Sequence, residues 1–340
     1  MIELHIDPTV DPRWADLSRR RGTLFDSPPW LAAIRDGFGI EPHAHISKDA
    51  SSGFVVGFVD DEIGPRTVSY PFSDYCGPLG VATGDAWQAL AGTNLDGALP
   101  FRIRSRSHPI VDADSRLSPV GRYAWHGIDL ESDEHARWKK LSGPARQNVR
   151  RAERENVIVT VDSSRQALAG FETLHRRLRR DKYRMLSQPP EYFDALERHF
   201  GDDLVVLHAR VDEELVAAVV LLRWAEAAYY KFNASVAAAS SVRGNDVLMW
   251  EAMQHAADVW GCSSLDLGLS DLDQTGLLRY KAKFATRTDE IIAHSISVSE
   301  PDEAVVARAR VNATVDQVIA SGSSEAELIE VSRDLYRFFC

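Results

Sequence analysis

Lys281 occupies a position where a helix would bury a hydrophobic side chain. In Gly276-Leu277-Leu278-Arg279-Tyr280-Lys281-Ala282-Lys283-Phe284, the i, i+4, i+7 spacing sets Leu277, Lys281 and Phe284 on one helix face, with Leu278 beside them. Arg279 and Lys283 point elsewhere. A lysine on such a stripe either snorkels its ammonium to water or is held in a cleft to meet an anion. Arg146 and Arg150, also i, i+4, either grip one phosphate together or form an exposed basic face. Arg35, five residues after Trp30, is a further candidate of this kind. Tyr229, Lys231 and Asn233 alternate along an expected strand and so face one side, as substrate contacts or as ordinary half-exposed strand polarity. Asp74 and Tyr75 lie where the chain leaves a strand between Pro71 and Gly77-Pro78; they line a cleft, or Asp74 caps the turn.

Several chemistries are missing from the sequence. There is no G-x-S-x-G, H-E-x-x-H, P-loop or G-x-G-x-x-G, so hydrolase, zincin and nucleotide-kinase readings have no support. His43 and His45 share a strand face, but no pattern of Cys, Asp or Glu completes a metal site. Cys76, Cys262 and Cys340 form no C-x-x-C pair and read as reduced thiols.

The chain has 340 residues, 44% hydrophobic and 26% charged, which suits a soluble globular protein of two domains. Its longest apolar run, Leu215 to Leu222, is too short to span a membrane and reads as a buried strand. The N-terminus has neither a basic nor an apolar export region, so a cytoplasmic location is expected. The net charge of −11 is uneven: Trp138 to Arg184 carries 13 Lys/Arg against 5 Asp/Glu. That segment is a solvated face or a landing surface for a polyanion. Arg176, Arg177, Arg179 and Arg180 are its densest cluster.

Hydrophobic periodicity and turn residues predict the elements that position these side chains. Strands are expected at 2–6, 43–47, 53–59, 66–72, 99–105 and 120–128, with helices at 12–20, 29–38 and 85–93. A basic helix, 146–155, opens the second half. Strand 157–161, helices 164–182 and 190–199, strands 203–210, 214–222 and 227–233, helix 243–259, strand 264–268, the lysine helix and strand 290–298 follow. Two helices close the chain within 302–337. The fold class is therefore α/β (α+β), a mixed and mostly antiparallel sheet flanked by helices, with one order of elements nearly repeated. Expected domains are 1–132, 133–300 and a helical extension 301–340, with the boundary in the polar stretch Ser132-Asp133-Glu134.

Four motifs carry a family resemblance. Ser264-Leu265-Asp266-Leu267-Gly268 with the Gly276–Phe284 helix resembles the D-F-G … G-L-x-x-F-K-x-x-F-G signature of the Fem-type transferases, departing from it at Tyr280 and Ala285. Phe25-Asp26-Ser27-Pro28-Pro29-Trp30 is similar to their F-x-S-x-x-W opening. Ser69-Tyr70-Pro71-Phe72-Ser73-Asp74-Tyr75-Cys76-Gly77-Pro78-Leu79 resembles their S-L-P-F-S-D-x-x-G-P-L run, and Arg146-x-x-x-Arg150-x-Ala152 extends the likeness. Fem-type enzymes belong to the GCN5-related acetyltransferase (GNAT) superfamily and build peptidoglycan cross-bridges from aminoacyl-tRNA.

The resemblance implies tandem GNAT-like domains and transfer of an aminoacyl group from aminoacyl-tRNA to an amine, with no cofactor or metal. The acceptor would be a cell-wall precursor or a natural-product peptide intermediate. It makes Lys281 catalytic, makes Asp74, Tyr75, Arg146, Arg150, Lys231, Asn233, Tyr280 and Arg35 substrate contacts, and makes Arg176, Arg177, Arg179 and Arg180 contacts to tRNA. Two alternatives stand beside it: an acyl-CoA-dependent N-acyltransferase acting on an amino-sugar or small molecule, and a non-catalytic binder of tRNA or a carrier. Acetyl-CoA users commonly carry R/Q-x-x-G-x-G/A before the long helix, whereas Ala237 to Asp246 offers one glycine and an aspartate that would repel phosphate.

Overall fold

Pro and small polar residues start most helices of this chain. The computed structural model describes residues 3–296 and 302–339. The first half runs β1 (Glu3–Ile6), α1 (Pro12–Arg21), α2 (Pro28–Phe38), β2 (Pro42–Ser47), β3 (Gly53–Val59), β4 (Arg66–Val68), α3 (Gly84–Leu95), β5 (Phe101–Arg106), α4 (Pro109–Asp112) and β6 (Ser118–Asp129). After α5 (Glu134–Lys140) and α6 (Gly143–Arg154), the second half runs β7 (Ile158–Asp162), α7 (Arg165–Leu178), α8 (Pro190–Phe200), β8 (Leu204–Val211), β9 (Glu214–Trp224), β10 (Ala227–Ser235), α9 (Gly244–Gln254), β11 (Ser264–Asp271), α10 (Thr275–Ala282) and β12 (Arg287–Ser295). Helices α11 (Asp302–Ala320) and α12 (Glu325–Leu335) and the turn Tyr336–Phe339 close the chain. Residues 297 and 298, expected to end the last strand, lie outside the described residues. Ser27, Thr83, Asp133, Ser142 and Ser164 each accept a first-turn N–H at the start of a helix, and Pro sits in the first turn of α1, α2 and α6. Helices α4 and α5 have no counterpart among the expected elements.

The fold is mixed α/β and mostly antiparallel. From the first strand of each half onward the order is the same: a strand, two helices, three strands, a helix, a strand, a helix and a strand. Two compact units result. The first holds residues 1–123, 188–199 and 289–340; the second holds 124–187 and 200–288. The expected boundary at 132/133 thus falls inside the second unit. Helix α8 and the closing helices belong with the first.

In the first unit the strand order is β1-β2-β3-β4-β5-β12, with β4 and β5 parallel and β5 and β12 antiparallel. In the second it is β6-β11-β10-β9-β8-β7, with β10 and β11 parallel. Each unit is completed by a strand from the opposite half of the sequence. Close helix packing explains why α8 joins the first unit. A Cβ at Gly37 would lie 2.8 Å from the Tyr192 Cα, so only glycine lets α2 and α8 approach this closely, and Arg198 and His199 both reach Asp36. Helix α12 is tied to α8 by Arg333 and Glu191 at 2.7 Å, and Tyr336 packs against Phe38 and Phe72.

The core of the second unit lies where α6 and α9 cover β8–β11. It includes Val149, Ala152, Leu207, Val219, Leu248 and Leu265. Burying one such aliphatic side chain is worth about 1.5–3 kcal/mol. Their packing fixes α9, and α9 fixes the site.

Candidate active site

Strands β10 and β11 pair over only three positions, Ala227–Ser264, Ala228–Leu265 and Tyr229–Asp266, and then part. Beyond that point β10 continues on β9 to Ser235 while β11 goes its own way. Helix α9 connects the two strands in sequence, and its Asn245 meets Asn233 of β10. Two local features open the wedge between the strands. In β10 the register with β9 passes from Tyr230–Leu221 to Phe232–Val220, which leaves Lys231 as an extra residue. In β11, Gly268 takes φ 68, a left-handed conformation that glycine accepts without cost.

Asp266 fixes that glycine. One carboxylate oxygen accepts the Gly268 N–H at 2.6 Å and the other accepts the Trp125 indole N–H at 2.8 Å. The turn presents the Gly268 and Leu269 carbonyls to Lys281, whose Nζ donates to both at 3.0 Å. These carbonyls lie past the last parallel pair, and a buried carbonyl without a donor is costly. Lys281 is 7% exposed, so its ammonium is held inside rather than snorkelled to water. The apolar stripe expected around it is incomplete, because Leu277 in the first turn of α10 is 37% exposed while Phe284 is buried.

The bulge also corrects the expected facing of the β10 side chains. With Lys231 inserted, Asn233 shares a side with Tyr230, not with Tyr229. The Asn233 Nδ2 donates to the Tyr230 hydroxyl at 3.2 Å and to Asn245 Oδ1 at 3.2 Å, and the Tyr280 hydroxyl donates to the Asn245 carbonyl at 2.7 Å. Burial holds the Tyr230 and Tyr280 phenols well above their ordinary pKa, so both remain donors. Lys231 itself is half-buried, its ammonium 5.5 Å from the Phe232 ring. His126 on β6 is buried, and burial together with the Lys281 charge lowers its pKa, which keeps it neutral.

At the start of α9, Arg243 takes φ 61 and supplies no side-chain cap. Asp246 fills the first turn. Its carboxylate is buried, accepts Asn148 Nδ2 at 3.1 Å and is paired with the Lys283 ammonium. Lys283 also covers the Tyr280 ring at 4.8 Å, so it does not point away from the site as expected. The repulsion of phosphate expected from Asp246 is correspondingly offset, since its charge is compensated. Its place is occupied all the same.

The other expected contacts do not gather here. Arg146 and Arg150 share α6 but not a ligand: Arg146 donates to the Lys139 and Leu141 carbonyls at the end of α5, and Arg150 covers the Trp138 ring at 5.5 Å. In the first unit, Arg35 donates to Asp36 at 3.1 Å and to Thr9 at 3.0 Å. Tyr75 is buried edge-on against Phe25, under the Arg106 guanidinium at 5.3 Å, and Asp74 is half-buried beside it.

The arginine cluster is likewise divided. Arg176 reaches Glu172 and Thr173, Arg179 donates to the Leu186 carbonyl at 2.9 Å, and Arg180 pairs with Asp181 at 2.6 Å; Arg177 is exposed. A π turn, Arg179–Tyr183, splays them around the helix end.

Residues that reasoning from the sequence missed are Asp266, Asn245, Asp246 in its paired state, Lys283 and His126. Asp266 is the acidic residue of the Fem-type signature, so its signal was present, whereas Lys283 falls on an unspecified position of it. The pairing partner of Lys283, in α9, lies outside it.

Residues 140–282 match the acetyltransferase (GNAT) domain family. The crystal structure of FemX superposes with a TM-score of 0.65 at 14% identity, covering 90% of this chain and 100% of FemX. Residues 140–282 are thus a GNAT domain, and the fold of the chain is Fem-like. The Fem-like chain also resembles the C-terminal domain of a putative lysylphosphatidylglycerol synthetase from Agrobacterium fabrum (TM-score 0.58, 16% identity, 89% of this chain and 95% of that one). A third likeness is to L-PGS from Bacillus licheniformis (TM-score 0.56, 16% identity, 88% and 96%). No curated protein matches the Fem-like chain in sequence. Among its described residues no helix is long and apolar enough to cross a membrane, and no group of three or more His, Cys, Asp or Glu side chains could hold a metal ion.

Proposed function

We propose that this Fem-like acyltransferase moves an aminoacyl group from aminoacyl-tRNA to an amine. The observation that carries the choice of donor is the Asp246–Lys283 pair. An acyl-CoA user needs the bare N-terminus of the helix that follows its fourth strand for pyrophosphate. In α9 that place holds a protein carboxylate fixed by Lys283 and Asn148, and the preceding chain is the compact turn Ala237–Ser240 rather than a glycine loop. An aminoacyl ester of tRNA has no pyrophosphate to seat.

In the reaction the acceptor amine attacks the ester carbonyl, the C–N bond forms, the bond to the ribose oxygen breaks, and the amine proton ends on that oxygen. The Lys231 bulge turns backbone out of the β9–β10 ladder, and an N–H so released is suited to the oxyanion. Lys281 supplies positive charge at the same wedge and, through the Gly268 and Leu269 carbonyls, holds β11 open. Neutral His126 is suited to receive the amine proton. Exposed Arg177, Lys182 and Arg184 are our candidates for the tRNA backbone.

The match of 140–282 to an acetyltransferase domain favours a second reading, acyl-CoA as donor and an amino-sugar or small molecule as acceptor. A transfer assay with total charged tRNA against acetyl-CoA, read by mass spectrometry of acceptor extracts, separates the two. Product from charged tRNA alone supports the proposal; product from acetyl-CoA alone overturns it.

A further inference from the structure

The π turn that closes α7, Arg179–Tyr183, lies wholly in the second unit and ends at Arg184, whose φ of 55 is a left-handed conformation in which arginine is strained. A clasp sustains the strain. The Arg184 and Met185 N–H groups both donate to the Arg179 carbonyl, and the Arg179 Nε donates to the Leu186 carbonyl at 2.9 Å. Leu186 is buried, while Tyr183 and Met185 stay 49% and 45% exposed. One exposed apolar side chain needs no explanation, but two on a strained and clasped turn point to a partner.

Charge identifies the partner. Between Arg176 and Met185 the only acidic residue is Asp181, and Arg180 already binds its carboxylate at 2.6 Å. Arg177, Lys182 and Arg184 are exposed and form no salt bridge among the described residues; Arg177 and Arg184 act on Asp181 through the longer-range field alone. The Lys182 ammonium stands over the Tyr183 ring at 5.1 Å. A ring set among cations suits unpaired nucleotides, because phosphates take the charges and a base stacks on the ring. In a duplex the base faces are already stacked on one another.

The turn is also near the wedge. His175, in the last turn of α7, packs edge-on against Phe232, the residue after the Lys231 bulge, with ring centres 6.3 Å apart. Tyr183 follows eight residues later, about 12 Å at helical rise.

We propose that this turn receives the single-stranded end of aminoacyl-tRNA, a base stacking on Tyr183 beside Met185 while phosphates meet Arg177, Lys182 and Arg184. It rests on the aminoacyl-tRNA reading, and adds to it which part of the RNA is held and the ring that holds it.

The test is fluorescence anisotropy of the whole protein with a short unstructured RNA and, separately, with an RNA duplex of the same length at the same salt concentration. We expect the unpaired RNA to bind more tightly than the duplex. Tyr183→Ala should weaken the unpaired RNA about fivefold or more and leave the duplex unchanged, and Tyr183→Phe, which keeps the ring, should bind as the parent does. Tyr183 is exposed, so neither variant removes core packing. Absence of RNA binding, equal affinity for the two RNAs, equal weakening of both in Tyr183→Ala, or a loss in Tyr183→Phe as large as in Tyr183→Ala would each overturn the proposal. Binding to phosphatidylglycerol vesicles in place of RNA would overturn it too and make the turn a membrane contact. The donor assay reads separately: a Tyr183-dependent preference for unpaired RNA without transfer from charged tRNA supports the site and overturns the donor, and transfer from charged tRNA without that preference does the reverse.

Discussion

Lys283 neutralises Asp246 in the first turn of α9, joining two residues 37 apart in sequence. The pair takes up the helix end where the superfamily resemblance implies a pyrophosphate. Removing one partner of a well-buried pair strands the other charge, at a cost of about 3–5 kcal/mol in dry interiors. Lys283 is partly exposed, so Lys283→Met should cost less, about 2 kcal/mol, and Lys283→Met with Asp246→Asn should recover part of that stability. Urea unfolding of both single variants and the double variant checks it; additive effects would mean that the two side chains do not stabilise each other.

Lys281 has both a structural and a chemical consequence. Lys281→Met removes the donor to one buried and one partly buried carbonyl and should lower stability by about 1–3 kcal/mol, and turnover by roughly 10²- to 10³-fold. Thermal unfolding and single-turnover rates on the same preparation check both. A drop in stability with parental turnover would leave the residue as a strut only.

Asp26 makes stability depend on pH. It is fully buried, and burial raises its pKa from 3.8 to about 6 against the opposing hydrogen bonds from the Cys76 thiol and Thr23. A raised pKa means that the folded state favours the protonated carboxyl, so its contribution is complete below about pH 4 and lost as pH rises through about 6. The shift corresponds to about 3 kcal/mol. Stability curves for Asp26→Asn and the parent should converge at pH 4 and diverge, the variant being the more stable, by pH 7. Parallel curves would contradict this.

The basic surface should bind RNA through its exposed members. Arg177→Glu with Lys182→Glu and Arg184→Glu should weaken tRNA binding and flatten its salt dependence, by about 1 in the log–log slope for each phosphate no longer neutralised. Reversing Arg176, Arg179 and Arg180 is a poor test, because each also holds a local structural contact. Filter binding across a salt series reads the slope; an unchanged slope would mean these charges face only water.

Much of the architecture was legible from the sequence because apolar periodicity and helix caps act locally. The element order of both halves apart from α4 and α5, and the lysine set among hydrophobic residues of α10, could be read from spacing. What escaped was non-local. A one-residue bulge at Lys231 reverses the facing of Asn233, and no alternation pattern reports it. Asp246 looked like a repulsive charge because its partner lies in another helix. Gly37 gives no sequence sign that it admits α8, which moves that helix into the first unit.

The most direct test of the donor assignment is calorimetry of coenzyme A with the purified protein. The filled N-terminus of α9 predicts no saturable binding at micromolar concentration, in the parent and in Asp246→Asn alike, while charged tRNA supports transfer to an amine. Tight, one-to-one binding of coenzyme A to the parent would contradict the assignment and make acyl-CoA the donor.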